Sequence, residues 1–232
     1  MRYYPINLDL KGKSCLVIGG GEVAFRKVKR LLECGANVKV VAPKFGARIK
    51  ELIKERKIEY LGTEYKKGFL KNAFLVIGAT NNQTLNAHIS EDAYKAHILC
   101  NIVDQPERCS FIVPSVIVRG DLIIAISTSG RSPALARKIR LDLEKSFGME
   151  YAIFLELMGR IRNKILKSVN GQKTRKQLFK KIIDSDILTW LKNKEFSKID
   201  AYLKKTLGVN LDFSDGLQSK QLFSNSKKTD EY

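Results

Sequence analysis

Short apolar runs alternate with amphipathic stretches through the first hundred residues of the chain. Five of the runs have the length and composition of buried parallel strands, at residues 15–18, 38–41, 58–61, 74–80 and 98–103. Stretches with apolar residues at helical spacing separate them, at residues 23–34, 45–56 and 84–96. Strands that alternate with helices predict a parallel sheet covered on both faces, with the strand order 3-2-1-4-5.

The pattern changes after the fifth predicted strand. Residues 110–118 alternate like an antiparallel strand, Arg119-Gly120-Asp121 forms a turn, and residues 122–127 return as the second strand of a hairpin. Ser132-Pro133 then begins a helix that runs to about residue 147, because serine is a favoured N-cap and proline a favoured first helical residue. A hairpin and one helix cannot bury a core alone. Residues 110–147 must pack on the sheet domain or on a second copy of the chain, and we favour a dimerisation segment.

Helical spacing continues beyond this segment. Residues 148–208 predict a small helical domain, with helices at 151–167, around 178–183 and at 196–207, and a turn at 187–191 that holds the only tryptophan. Residues 209–232 are rich in Ser, Asp, Asn and Lys, a composition that predicts disorder.

The turn after the first predicted strand carries Gly19, Gly21 and Ala24 at the G-x-G-x-x-A spacing. Gly19 permits a tight turn, Gly21 lets the backbone approach a pyrophosphate, and Ala24 lets the helix pack close to the strand. The helix start supplies free N–H groups and a positive dipole end for phosphates. A strand, glycine turn, helix and second strand in one unit predict a Rossmann-type α/β domain over residues 1–109 that binds a dinucleotide.

The second predicted strand ends without an acidic residue. An acid at this position normally binds the ribose hydroxyls of NAD, but here the strand ends Val41-Ala42-Pro43-Lys44. The missing acid weakens an assignment of NAD from the residues alone. It leaves NADP open, because Lys44 could face a phosphate.

The chain is strongly basic, with 42 Lys and Arg against 24 Asp and Glu and a formal net charge of +18. Such a field attracts polyanions, either nucleic acid or a small substrate rich in carboxylates. A solvated basic surface without any such ligand is an equally good interpretation. No aromatic-basic motif or recognition helix indicates nucleic acid, so we expect no nucleic-acid partner.

Hydropathy and cysteine usage narrow the class of protein further. No stretch of 18 apolar residues predicts a membrane span, and residues 1–10 lack the apolar core of a secretion signal, so we expect a cytoplasmic protein. The four cysteines are scattered without a C-x-x-C pair. We therefore expect free thiols, no disulfides and no metal site.

Three segments together are far more specific than the glycine turn. They read Gly-Gly-Gly-Glu-Val-Ala-Phe-Arg-Lys at 19–27, Asn-Ile-Val-Asp at 101–104, and Ser-Phe-Ile-Val-Pro-Ser at 110–115 with Ser-Thr-Ser-Gly-Arg-Ser-Pro-Ala-Leu-Ala-Arg at 127–137. With these segments the chain resembles the precorrin-2 dehydrogenase family, which includes the amino-terminal part of siroheme synthases. The resemblance covers residues 1–145 well and continues weakly to about residue 208.

The resemblance implies an activity, a cofactor and an assembly. It implies NAD-dependent oxidation of precorrin-2 to sirohydrochlorin in siroheme biosynthesis, with ferrous iron insertion added in some members, and a homodimer joined through the middle segment. The family's second strand also ends in Val-x-Pro, as here, which favours NAD. Together with the glycine turn, the resemblance predicts these cofactor-binding residues: Gly19, Gly21, Glu22, Val23, Pro43, Lys44 and Thr80.

Asp104 is the candidate catalytic residue. By resemblance it matches the family's essential acid, and by its own position it follows a predicted parallel strand, where α/β enzymes place their sites. A carboxylate there can take a proton or orient ring nitrogens while NAD takes a hydride. The alternative is a turn or cap residue. Of the only two histidines, His88 is a second candidate and His97 is expected to be structural.

Ser127, Thr128, Ser129 and Gly130 form a predicted loop that could bind substrate carboxylates, although the same residues suit a helix entry. A tetrapyrrole rimmed by carboxylates would fit the positive field of the chain. A regulatory NAD-sensing module is the alternative function, since it would share the glycine turn and need no acid at position 104. No metal-ligand cluster is visible in the sequence, so iron insertion stays undecided.

Overall fold

The computed structural model describes residues 2–208 of the 232-residue chain. The tail at 209–232, for which the sequence predicts disorder, lies outside the described residues. The chain divides into two compact units. Of the described residues, the first comprises 2–113 with 129–131, and the second comprises 114–128 with 132–208.

The first unit is a five-stranded parallel sheet with helices on both faces. Its strands are β1 (Ser14–Ile18), β2 (Asn37–Val41), β3 (Glu59–Gly62), β4 (Leu75–Gly78) and β5 (Leu99–Ile102). Its helices are α1 (Glu22–Glu33), α2 (Ala47–Lys54) and α3 (Gln83–Lys95), with short 3₁₀ turns at Lys67–Leu70 and Pro106–Arg108. The strand order is β3-β2-β1-β4-β5, all pairs parallel, which confirms the predicted doubly wound sheet.

Alternate residues of the strands bury on opposite faces of this sheet. Cys15 and Val17 of β1 pack with the apolar side of α1 in one core, while Leu16 and Ile18 pack with α3 in the other. Because both faces are covered, the strands are apolar throughout instead of alternating, and the sequence shows them as short continuous runs.

Strand β4 is shorter than the apolar run that predicts it. The run continues through Ala79 and Thr80, but the sheet ends at Gly78. Thr80 instead bonds to residues at the start of α3, where Asn82 is the N-cap and accepts from the Leu85 amide. The competing hydrogen bonds of this cap end the strand.

The second unit begins with an antiparallel hairpin, β6 (Ser115–Arg119) and β7 (Leu122–Ile126), followed by α4 (Pro133–Glu144). The first hairpin strand was predicted from residue 110 and starts five residues later. The reason is that Ser110 stays beside β5, because its amide donates to the Cys100 carbonyl (2.9 Å) and its hydroxyl accepts from the Cys100 amide (2.8 Å). Pro114, which has no N–H to give a strand, then separates Ser110 from the hairpin.

Four further helices follow in the second unit up to residue 208: α5 (Glu150–Ser168), α6 (Gln172–Ile183), α7 (Ile187–Lys192) and α8 (Phe196–Leu207). The prediction of a turn at 187–191 was wrong, since these residues form α7. A helix places Ile187 and Leu191 on one face, and both are fully buried. Gly208 ends α8 in the left-handed conformation, with φ 67°. Across residues 2–208, no helix is long and apolar enough to cross a membrane.

Candidate active site

The turn after β1 is fixed by the backbone of two neighbouring turns. Gly19 has φ 134°, and a Cβ atom on it would overlap the Ala79 carbonyl oxygen after β4. The Gly19 amide donates to the Val41 carbonyl at the end of β2 (2.9 Å). The carboxyl ends of β1, β2 and β4 are therefore joined at one edge of the sheet, where ligands of doubly wound folds bind.

Position 20 also requires glycine, although the sequence motif does not identify it. The motif treats this position as free, but a Cβ atom here would overlap the Lys44 carbonyl oxygen in the turn after β2. The Gly46 amide also donates to the Gly20 carbonyl (2.9 Å). The run of three consecutive glycines in the sequence is a signal of this requirement. Glycine loses more conformational entropy on folding than other residues, so a middle glycine without a close backbone approach would lower the stability of the fold.

Gly21 leaves the start of α1 open. It is the N-cap, with φ −87°, it makes no side-chain cap hydrogen bond, and a Cβ atom on it would meet nothing within 4 Å. The first-turn N–H groups of α1 therefore have no side-chain acceptor from the cap, and the positive end of the helix dipole faces open space. This geometry fits the pyrophosphate of a dinucleotide.

Glu22 begins α1 beside this space and is held in an ion pair. Its carboxylate pairs with the Arg48 guanidinium, and the guanidinium carbon lies 4.2 Å from the centre of the Phe25 ring. The pair offsets the negative charge that Glu22 brings near a phosphate site. Val23, the next predicted contact, is half-buried.

The structure brings the remaining predicted cofactor residues to the same edge. Pro43 and Lys44 are exposed in the turn after β2, and the Lys44 backbone packs against Gly20. Thr80 follows β4, but its hydroxyl donates to the Asn86 Oδ1 atom (2.7 Å) and accepts from an amide of the α3 cap. Thr80 thus supports the turn, and its direct contact with a cofactor stays a prediction.

Asp104 lies in the turn that follows β5, in the same unit as the glycine turn. The turn is tied to the sheet by the Val103 amide, which donates to the Gly78 carbonyl at the end of β4 (2.9 Å). Asp104 is exposed and has φ 61°, a left-handed conformation that Asp and Asn adopt more readily than other side chains. Its carboxylate therefore extends from a defined turn at the carboxyl edge of the sheet.

The Cys109 thiol holds the base of this turn. Its sulfur accepts from the Ile102 amide (3.2 Å), and its S–H can donate to the Ile102 carbonyl or the Gln105 carbonyl (both 3.2 Å). Burial raises the pKa of Cys109, so the thiol keeps the proton that it donates. The sequence gives no sign of this role for Cys109, because its partners are backbone atoms and the Asn101 side-chain amide (3.6 Å), which no motif connects with it.

The other cysteines and the two histidines have no assigned role at the glycine turn or the Asp104 turn. All four cysteines are free, and burial raises the pKa of Cys15 to about 11 and that of Cys100 to about 12. His88 is exposed on α3, and His97 is exposed with φ 55° before β5. Within the described part of the chain, no group of three or more His, Cys, Asp or Glu residues could hold a metal ion.

The predicted substrate loop is divided between the two units. Ser129 and Gly130 group with the first unit, whereas Ser127 and Thr128 group with the second. Thr128 accepts from the Ser132 amide (3.1 Å) and donates to its carbonyl (2.9 Å), so its contacts are those of a helix entry. A role of these four residues in substrate binding stays a prediction.

The fold and the glycine turn define the class as a Rossmann-type dinucleotide-binding protein. A family model described as NAD(P)-binding matches residues 6–115, and a model for the central part of sirohaem biosynthesis proteins matches residues 119–146. A solved structure, "SirC, precorrin-2 dehydrogenase", is 31% identical, with a TM-score of 0.72 over 84% of this chain and 98% of that one. The chain belongs to the precorrin-2 dehydrogenase family, which confirms the resemblance seen in the sequence.

Longer relatives share the same region. The siroheme synthase of Photobacterium profundum is 38% identical over 184 residues, which cover 79% of this chain and 39% of the relative. Siroheme synthase 1 of Serratia proteamaculans is 36% identical over 220 residues, which cover 95% of this chain and 46% of the relative. The chain thus spans less than half the length of these two relatives.

Proposed function

We propose that this protein oxidises precorrin-2 to sirohydrochlorin with NAD. The observation that carries the proposal is the match to SirC, a precorrin-2 dehydrogenase, along 98% of that protein's length. Two features of the first unit support it independently. An open helix start suited to a pyrophosphate and an exposed carboxylate occupy the same edge of one sheet.

The residues of the chain divide the work of such an oxidation. The glycine turn and the first-turn N–H groups of α1 bind the pyrophosphate and so fix the cofactor on the sheet edge. Bound NAD would supply the acceptor for the hydride that leaves the saturated ring position. Asp104 takes or steers the proton that leaves with it, so that the macrocycle loses one hydride and one proton.

The proposed preference for NAD over NADP rests on the family's Val-x-Pro ending of the second strand, and the cations near the turn after β2 bear on it. A 2′-phosphate needs a cation at that position. Arg48 is one such cation, but its guanidinium already pairs with the Glu22 carboxylate and lies over the Phe25 ring. Lys44 is exposed and is the residue through which NADP could still bind. We therefore propose NAD as the working cofactor. We expect Lys44 to be the residue that limits the preference for NAD over NADP.

Oxidation of precorrin-2 by the purified full chain tests the function and the cofactor together. The absorption spectrum is followed with NAD and, separately, with NADP. We expect conversion to sirohydrochlorin with the higher kcat/KM for NAD. Binding of NAD without any oxidation would contradict the proposal and favour a regulatory NAD-sensing module. Ferrous iron added to the product shows whether the protein also inserts the metal, as some members of the family do.

We also predict that the protein is a homodimer joined through residues 110–147. Large apolar side chains are exposed on this segment: Ile123 on β7 and Leu135, Ile139 and Leu141 on α4. Exposed apolar side chains grouped in one short segment are typical of an interface. Light scattering should give twice the mass of the chain, and Ile123→Glu should lower it toward the monomer.

Leu166→Glu on α5 is the matched control for this prediction. Leu166 is also an exposed leucine of the second unit, but it lies outside the predicted segment. The control should keep the dimer mass. A strictly monomeric mass for the unaltered chain at working concentration would contradict the prediction.

A further inference from the structure

An ion pair joins the starts of α1 and α2 at the candidate cofactor site. Glu22 is the first residue of α1, and its carboxylate pairs with the guanidinium of Arg48, the second residue of α2. The backbones also meet here, because the Gly46 amide before α2 donates to the Gly20 carbonyl before α1 (2.9 Å). The ion pair therefore lies where the turn after β1 contacts the turn after β2.

Two residues of α1 hold the Arg48 guanidinium. Besides its pair with Glu22, its central carbon lies 4.2 Å from the centre of the Phe25 ring, which is one helical turn further along α1. The Glu22 carboxylate lies near the start of α2, since one of its oxygens is 3.9 Å from the position of a Cβ atom built on Gly46. The Arg48 side chain thus extends from α2 to α1, beside the first turn of the cofactor site.

The position of this pair matters more than its strength. The Arg48 and Glu22 side chains are 44% and 66% exposed, and exposed pairs contribute little to the free energy of folding. An arginine near the end of the second strand is, however, the group through which a Rossmann-type domain accommodates the 2′-phosphate of NADP. The pair engages such an arginine and keeps a negative charge next to it.

The structure thereby supplies an acid that the second strand lacks. Strand β2 ends at Val41, and the residues that follow it, Ala42-Pro43-Lys44, include no Asp or Glu. The first turn of α2 contains no acid either. The Glu22 carboxylate reaches this place from α1 instead. In the sequence Glu22 belongs to the glycine turn, and nothing there connects it with the end of β2.

We propose that Glu22 is a specificity-determining residue, which selects NAD because it pairs with Arg48 and so keeps this cation from a 2′-phosphate. The inference rests on the proposed function, in which NAD is the working cofactor. It assigns Glu22 no part in the transfer of the hydride or the proton. To bind NADP through Arg48, the protein would have to break the pair and leave the Glu22 carboxylate beside the phosphate as a like charge.

Calorimetric titration of the purified full chain with NAD and with NADP tests this selection without any turnover. The two probes differ by the 2′-phosphate alone. Glu22→Gln removes the charge, keeps the size of the side chain and releases Arg48 from the ion pair. We expect the ratio of the two dissociation constants, NADP over NAD, to fall roughly tenfold in this variant, since an exposed charge acts partly through water. An unchanged ratio would overturn the proposal.

Glu33→Gln is the matched control for the loss of charge. Glu33 is also an acid of α1 that pairs with an arginine, since its carboxylate lies 3.1 Å from the Arg30 guanidinium, but it ends the helix that Glu22 begins. The control should leave the ratio of the dissociation constants unchanged. The same fall in Glu33→Gln as in Glu22→Gln would show an effect of net charge and would overturn the proposal.

The background of Arg48→Gln decides whether Glu22 acts through Arg48. In that background Glu22→Gln should lower the ratio much less, because the cation that it would release is gone. An equal fall would overturn the role of the pair. If the unaltered chain bound NAD but did not oxidise precorrin-2, the proposed function would fail, and the dissociation constants would still decide the role of Glu22. Failure to bind either dinucleotide would overturn both.

Discussion

Asp104→Asn should lower the turnover of precorrin-2 by ~10²–10⁴-fold, the usual contribution of a general base, and leave the affinity for NAD nearly intact. Asparagine has the shape of aspartate but cannot accept a proton at neutral pH. It also tolerates the left-handed backbone at this position, where φ is 61°, so the turn is preserved. Steady-state kinetics and calorimetric titration with NAD measure the two quantities separately.

Glu107→Gln is the control for this prediction. Glu107 is an exposed acid three residues further on, in the 3₁₀ turn, and its replacement should leave the rate unchanged. Any iron insertion that depends on the same carboxylate would fall together with oxidation in Asp104→Asn. A variant that oxidised precorrin-2 at the full rate would reduce Asp104 to a turn residue, and His88 would be the next position to test.

Gly21→Asp should abolish NAD binding while the domain stays folded. The backbone at Gly21 has an ordinary φ of −87°, and a side chain there meets no atom within 4 Å. Aspartate is also a better N-cap than glycine by a few tenths of a kcal/mol, so the melting temperature should not fall. The new carboxylate would lie where the pyrophosphate binds and repel it. Calorimetry and thermal unfolding measure the two effects.

Two comparison variants separate charge from space at this turn. Gly21→Asn offers the same cap without the charge and should retain more of the NAD affinity than Gly21→Asp. Gly20→Ala should instead destabilise the domain itself, because its Cβ would overlap the Lys44 carbonyl oxygen. Unchanged NAD affinity in Gly21→Asp would mean that the cofactor lies elsewhere.

The sequence predicted the sheet well because parallel strands buried on both faces need continuous apolar runs. Strand β1 and the turn at Gly19 can be predicted from the residues next to them in the sequence. The run of three glycines marks Gly20 as unusual, but the reason for it comes from Lys44, in the turn after the next strand, which neighbouring residues do not show. The importance of Cys109 likewise depends on backbone partners in another element.

Short or competing elements were harder to predict. Residues 187–191 form little more than one turn, so their apolar pattern does not separate a helix from a turn. The burial of both Ile187 and Leu191, which lie on one face of a helix, distinguishes the helix α7 from a turn. The late start of β6 depends on Ser110, which bonds to Cys100 ten residues earlier rather than to the hairpin.

The left-handed backbone at position 104 restricts how this protein can evolve or be redesigned. With φ at 61°, the position is occupied at low cost by glycine, asparagine and aspartate. Of these three residues only aspartate carries a charge. Glutamate would keep the charge, but it would strain the turn and carry its carboxylate one methylene further out. Aspartate is therefore the one acid that suits this turn. Its replacement by glutamate would require a different conformation of the loop that Cys109 holds.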